Sequence, residues 1–338
     1  MKIHENYSLK KLNTFGIEAS AKYFVELSST DDIRVILSDV KFSGSKKLIL
    51  GGGSNLLFTQ NFDGLVLKNN LRGIELLRED EDFYYVKSAA GEVWHELVMH
   101  CIQKNYAGLE NLSLIPGNVG ASPMQNIGAY GAEIKDHFYE LEALNILDQT
   151  IYRFNNDDCK FGYRESIFKR ELKDQFIITS VTFKLLKNPK LNTSYGAIEK
   201  ELEAMKVKEL SIQAISQAVC NIRNSKLPNP KEIGNAGSFF KNPEVLKHKY
   251  ESLKEQFPAI VGYDLENGNV KLAAGWLIEQ SGWKGQTFGD AGVHKLQALV
   301  LVNYGNAKGK EIFDLSQRVL DSVKEKFGVN LEREINII

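Results

Sequence analysis

The chain has 338 residues, 43% hydrophobic and 25% charged, which is enough to bury more than one core. Lysine and arginine number 42 against 43 aspartates and glutamates; the resulting net charge of −1 gives no electrostatic footprint for nucleic acid or an anionic membrane. Cys101, Cys159 and Cys220 lack any C-x-x-C spacing, which argues against a disulfide framework or zinc site and for a reducing, cytoplasmic setting.

In chain order, Met1 to Lys11 is polar and lacks the apolar run of a signal peptide. Ala21 to Leu27 reads as a strand, and Ser29-Thr30-Asp31-Asp32 as a helix start. Lys47 to Leu50 is a short buried strand that runs into Gly51-Gly52-Gly53-Ser54-Asn55. Backbone N–H groups in such a glycine run can form an anion-binding nest, although a plain turn fits as well. Leu56 stands where a Rossmann fingerprint needs its third glycine, and there is no P-loop lysine. Leu56-Leu57-Phe58 to Leu67 continues as strand and turn.

Phe83 to Gly91 reads as a strand with its stop, followed by a helix over about 92–104 on the spacing of Val93, Leu97 and Cys101. His95 and His100 are five apart, so they diverge by ~140° around a helix and make no metal pair. From Ile115 to Gly131 glycines alternate with Pro116 and Pro123, which no regular element tolerates. An irregular stretch of that length inside a compact domain points to a ligand loop. The uncharged run over 111–132, full of glycine, asparagine, serine and proline, is no membrane span.

Strands are expected at Leu141 to Leu147 and Gln175 to Phe183. Between them, Tyr163-Arg164-Glu165-Ser166 sets a cation among aromatics; alone, a surface cation stacked on a ring is favoured over an anion clamp. Tyr195-Gly196 opens a helical region, and a second helix over about 211–225 stops before the connector Lys226-Leu227-Pro228-Asn229-Pro230. Then comes Gly234-Asn235-Ala236-Gly237-Ser238-Phe239-Phe240-Lys241-Asn242-Pro243. Its spacing alone favours a glycine-kinked strand, with Ser238 and Phe240 on one face and Phe239 and Lys241 on the other. Helices are expected over about 244–255, 271–282 and 309–327, and a buried strand over 297–302. The last residues alternate, Leu331, Arg333, Ile335 and Ile337 on one face and Glu332, Glu334, Asn336 and Ile338 on the other. The mixture is α+β or α/β, without internal repeats.

Taken together and in order, several stretches resemble the UDP-N-acetylenolpyruvoylglucosamine reductase (UDP-N-acetylmuramate dehydrogenase) family in its longer form. They are Asn13-Thr14-Phe15-Gly16, Gly51 to Asn55, Ile115-Pro116-Gly117, Gln125-Asn126-Ile127-Gly128-Ala129-Tyr130-Gly131, Tyr163 to Ser166, and Gly234 to Pro243. The resemblance implies an α+β fold: a two-part FAD-binding domain of the vanillyl-alcohol-oxidase (PCMH) type plus a C-terminal α+β substrate-binding domain. The expected divisions are 1–69 with 331–338, 70–227, and 228–330.

The implied activity is NADPH-dependent reduction of UDP-N-acetylglucosamine enolpyruvate in peptidoglycan synthesis, by a cytoplasmic monomer with non-covalent FAD. Ser238 is then the proton donor, and Arg164 and Glu334 stabilise the enolate-like charge. Glu334 can do so only if it is protonated or shares a proton. Tyr195, Lys226, Asn242, Tyr263, Lys284 and Gln297 match substrate-holding positions. Gly51, Gly52, Gly53, Ser54, Asn55, Pro116, Gly117, Gly120, Ser122, Pro123, Gln125, Asn126, Ile127 and Gly128 match FAD-holding ones. Asn118 and Asn336 depart from the family pattern and are left out of the expected site. An oxidase on the same flavin fold and a non-enzymatic nucleotide-sugar binder are the competing readings.

Overall fold

The computed structural model describes residues Met1–Ile338. The chain forms two compact units: Met1–Tyr7, Ala21–Gly52 and Asp63–Ser225 make the first, and Ser8–Ser20, Gly53–Phe62 and Lys226–Ile338 the second. Sheets and helices are mixed in both, as an α+β chain requires.

The first unit carries two larger sheets and a two-stranded one, Gly128–Ala129 with Ala132–Glu133. One has the order Ile3–Ser8, Ser20–Leu27, Phe62–Asn69, Lys47–Leu50. Its last two strands run parallel with Leu50 opposite Lys68, which brings the glycine run out beside the end of Phe62–Asn69. The helix Thr30–Ser38 closes one side. Ser29 caps it by accepting from Asp32 N, and the Asp32 carboxylate accepts from Ser29 N in return, so two orphan N–H groups are satisfied at once. Ile33 and Ile36 then pack on Val25, Leu27, Leu65 and Leu67.

The other sheet is antiparallel in the order Ile151–Asn155, Phe138–Asn145, Phe176–Leu186, Phe83–Ala89, Ile74–Glu79. Phe176–Leu186 is central, and Ile177 to Phe183 are all buried, so no polar/apolar alternation marks them. The helix Trp94–Gln103 packs Trp94, Leu97, Val98 and Cys101 into the same core as Leu141, Val181 and Phe183. Cys101 and Cys159 are buried there, and burial pushes both thiols up to about 12, out of the reactive range. Two further helices, Gly196–Ala204 and Ile212–Lys226, bury Ile198, Leu202, Ile215, Val219 and Ile222 against each other.

The second unit holds an antiparallel sheet of Gly234–Asn235, Leu301–Asn303, Ala291–Val293 and Thr287–Phe288. A smaller one has Val270–Leu272 between Glu244–Val245 and Gly262–Asp264. The long helix Gly309–Phe327 meets both expected ends and stops at Gly328, whose φ of 61° is the left-handed C-cap. Asn336–Ile337 pairs in parallel with Leu56–Leu57.

Several expected boundaries move. Glu244–Val245 and Lys271–Leu272 are paired strand, so the helices begin only at Lys247 and Ala274. Of the strand expected over 297–302, only Leu301 and Val302 are in it, because Gln297 to Val300 form a turn closed by Val300 N donating to Gln297 O. The strand expected to reach Leu147 ends at Asn145, whose side-chain oxygen accepts from Leu147 N and Asp148 N and turns the chain. The helix expected from residue 92 starts at Trp94.

Candidate active site

The first unit brings the two glycine-rich loops together. A Cβ on Gly52 would lie 2.9 Å from Gly117 Cα and 2.9 Å from Asn118 Oδ1, closer than real Cβ contacts come. Only glycine permits this approach. The Ile115–Ser122 loop is itself laced to the strand stop before it. Gly120 N donates to Ala90 O, Val119 N to Glu92 O, and Trp94 N to Gly117 O. Asn118 is buried and donates Nδ2 to Gly91 O, which ties its loop to the strand stop, while its side chain lies against Gly51 and Gly52. Lys68 Nζ holds Gly51 O at 3.0 Å; burial and the nearby Arg72 push its pKa down. Gly51, Gly52, Pro116, Gly117, Gly120, Ser122 and Pro123 thus lie in one unit, while Gly53, Ser54 and Asn55 lie in the other. There Asn336 binds Asn55 O through its backbone N–H (3.1 Å) and its side-chain amide (3.0 Å).

The loop from Gln125 to Gly128 is tied to the arginine stretch. Asn126, fully buried with φ 44°, spends its amide on Glu133 Oε2 and Gly162 O and accepts from Lys135 N. Ser166 Oγ donates to Met124 O at 2.7 Å. Arg164 lies in the left-handed region at φ 55°, in a turn closed by reciprocal Gly162–Glu165 backbone bonds. Backbone of that kind persists only where surroundings hold it, and it gathers at functional sites. Arg164 Nη2 donates to Gly128 O at 2.8 Å, and its guanidinium lies 5.7 Å from the Tyr163 ring. The residue read alone as a surface cation is therefore aimed at the glycine loop.

Tyr195, at the start of Gly196–Ala204, meets Tyr130 edge-on with ring centroids 5.3 Å apart. Beside Tyr130 stands Arg223, a second guanidinium that the sequence reading passed over. Burial, with a contribution from Arg164, holds its pKa below the usual range while Tyr130 opposes the shift. On an amphipathic helix it looked like any solvated arginine, and no spacing marked it.

In the second unit the Ser238 stretch is pinned along its length. Gly237 N donates to Asn235 Oδ1, Phe239 N to Leu299 O, and Lys241 N to Glu332 O. Phe239 and Phe240 are both buried, so the expected division into two faces gives way to burial on both sides. Each buried ring contributes roughly 1.5–3 kcal/mol, which fixes half-buried Ser238 between them and Gly237. Opposite, Glu334 N donates to Phe239 O at 2.8 Å and Phe240 bridges Arg333, so Glu334 is brought beside the serine stretch. Glu334 is 9% exposed whereas the Glu332 side chain is 76% exposed. The expected alternation put both on one face, yet their burial differs, and the run bends beyond them at Ile335.

Asn242 Oδ1 accepts from Ala274 N, and Gln297 Oε1 lies 3.2 Å from where a Gly275 Cβ would be, so these two meet at the start of Ala274–Gln280. Lys284 pairs with both oxygens of Glu279 at 3.0 Å, Tyr263 is half-exposed on Gly262–Asp264, and Lys226 ends its helix exposed; none of the three is bonded to that pair.

Residues 229–338 match the model of the UDP-N-acetylenolpyruvoylglucosamine reductase C-terminal domain, and residues 21–155 that of an FAD binding domain. A UDP-N-acetylenolpyruvoylglucosamine reductase of Flavobacterium johnsoniae is 55% identical over 339 residues, covering all of both chains. The chain belongs to the UDP-N-acetylenolpyruvoylglucosamine reductase family. Another member, from Pseudomonas savastanoi, is 47% identical over 337 residues, 100% of this chain and 99% of its own. The crystal structure of the family's enzyme from Thermus caldophilus superposes with a TM-score of 0.69 at 22% identity, covering 99% of this chain and 98% of that one. A 4-ethylphenol oxidase from Gulosibacter chungangensis shares the fold at a TM-score of 0.50 and 13% identity, over 97% of this chain and 84% of that one. The fold is therefore the FAD-binding domain of the vanillyl-alcohol-oxidase type joined to the family's C-terminal domain.

The glycine cradle fits FAD, since glycines in close-packed loops leave backbone N–H groups free of their own side chains to face a pyrophosphate. Gly52→Val is accordingly expected to force the loops apart and weaken FAD binding by roughly 1–3 kcal/mol. Flavin per chain in purified protein and titration of the apoprotein with FAD check this; parent-like flavin content would show that the loop contact is dispensable.

Proposed function

We propose that the chain reduces UDP-N-acetylglucosamine enolpyruvate to UDP-N-acetylmuramate in peptidoglycan synthesis, with NADPH as hydride donor. The observation that carries this is full-length identity of 55% to a reductase of that name. FAD, held non-covalently, supplies the hydride relay between NADPH and the terminal carbon of the enolpyruvyl group. The chain's own residues must then stabilise charge on the neighbouring carbon and its carboxylate, and protonate that carbon.

Arg164 meets the carboxylate charge, its orientation held by Gly128 O. Ser238 donates the proton. Glu334, withdrawn from solvent, acts protonated or sharing a proton, since a bare carboxylate would repel the charge it faces. Tyr195, Lys226, Asn242, Tyr263, Lys284 and Gln297 hold the sugar nucleotide. Backbone groups over Gly51–Asn55, with Pro116, Gly117, Gly120, Ser122, Pro123 and Gln125 to Gly128, hold the FAD pyrophosphate. Residues 1–69 with 331–338 and 70–227 serve as the two parts of the FAD-binding domain, and 228–330 as the substrate domain. No helix is long and apolar enough to cross a membrane. We place the chain in the cytoplasm as a monomer.

The test is a visible spectrum of the NADPH-reduced protein mixed with enolpyruvyl sugar nucleotide in stopped flow. Recovery of the oxidised spectrum faster than with air is expected. Faster recovery with air would favour the oxidase, and a colourless protein the simple binder.

A further inference from the structure

Arg333 precedes Glu334 but carries its charge away from it, into the helix Gly309–Phe327. Its Nε donates to Ser316 Oγ at 2.8 Å, its Nη2 to Gln317 Oε1 at 2.8 Å, and its Cζ lies 4.5 Å from the Phe313 ring centroid. Ser316 is fully buried and its own hydroxyl donates a hydrogen bond to Phe313 O. The helix is itself anchored in the core by Ile312, Leu315, Val319 and Val323. A planar guanidinium with both arms held and one face stacked has a single orientation. Across the chain, Arg333 bridges Phe240, with Glu334 N bonded to Phe239 O and Lys241 N to Glu332 O. Neighbouring side chains in an extended segment leave on opposite sides. Fixing Arg333 to the helix therefore fixes the turn of Glu334 away from it.

The geometry points to Arg333 as a positioning residue: it sets the rotation and register of 332–334 against 239–241, and so aims the Glu334 carboxyl. This rests on the proposed role of Glu334. Two hydrogen bonds to neutral acceptors offset only part of the desolvation of a guanidinium, so the arrangement stabilises a geometry more than it stabilises the fold.

The experiment uses the holoprotein with Arg333→Met, Glu334→Ala and both together. It measures re-oxidation of the NADPH-reduced protein by enolpyruvyl sugar nucleotide, KM, and Tm. Arg333→Met is expected to slow re-oxidation roughly ten- to hundredfold, the scale of a misplaced group, with KM held within about twofold. Once Glu334 is alanine, Arg333→Met is expected to add nothing, because it acts through that carboxyl. A parent-like rate in Arg333→Met, or losses that multiply in the double variant, would overturn the inference. A parent-like rate in Glu334→Ala would instead remove the role of Glu334 on which it stands. Should Arg333→Met fail to fold, Ser316→Ala with Gln317→Leu keeps the Phe313 stack and removes both acceptors. Slowed re-oxidation there supports the assignment, and an unchanged rate ends it.

Discussion

Ser238→Ala is expected to leave reduction of the protein by NADPH at the parent rate and to stop re-oxidation by enolpyruvyl sugar nucleotide. Removing a positioned proton donor costs roughly 10²–10⁴-fold, and here the residues flanking the serine cannot substitute. Gly237, at φ 71°, offers no side chain, and Phe239 and Phe240 are buried apolar rings. A serine hydroxyl is a poor acid. It serves only because the accepting carbon is strongly basic once the hydride has arrived. The backbone pins from Asn235, Leu299 and Glu332 do not involve the hydroxyl, so alanine keeps the local fold and the effect is read in chemistry alone. Single-turnover mixing in each half-reaction separates the outcomes. Loss of the NADPH step would show that the serine had been placed in the wrong half of the cycle.

The second large effect belongs to Arg164. Arg164→Met removes a preoriented cation from developing carboxylate charge and is expected to slow re-oxidation by about 10²–10³-fold, the range seen when one such donor is lost. Arg164→Lys is expected to recover little. The guanidinium spends Nη2 on Gly128 O and carries its donors in a rigid planar fork, whereas an ammonium on a flexible stem cannot reproduce that geometry. The left-handed backbone at Arg164 is unchanged by either substitution, so Tm should stay close to the parent's. Full activity in the lysine variant would mean that only a diffuse positive charge is needed. A loss confined to thermal stability would make Arg164 a loop brace.

Where local chemistry dominates, the sequence was readable. Ser29-Thr30-Asp31-Asp32 announced a helix start, and the helix expected over 309–327 ends at Gly328, because helix ends are decided within a few residues. Ile3–Ser8, Ile74–Glu79 and Ile151–Asn155 went unread. All three lie at sheet edges, and the last two leave most side chains in solvent, so main-chain bonds to a neighbour hold them with little hydrophobic pattern to betray them. The short strands Glu244–Val245 and Val270–Leu272 were hidden for a related reason. Glu244–Val245 pairs with Val270–Leu272, which also pairs with Gly262–Asp264, and each of the two borders a helix whose pattern absorbed it.

By itself the sequence determined the family, the α+β class, the glycine loops and the serine stretch, because these are properties of residue type and order. Tertiary structure decided which of two like residues matters. Glu332 and Glu334 sit two apart in an alternating run, and only pairing with Phe239–Lys241, held by Arg333 on its helix, buries one and exposes the other. Arg164 was likewise an ordinary surface cation until Gly128 O and Asn126, brought up by a distant loop, gave it a direction. Burial and orientation arise from contacts between segments far apart in the chain, and those contacts leave no mark on local spacing.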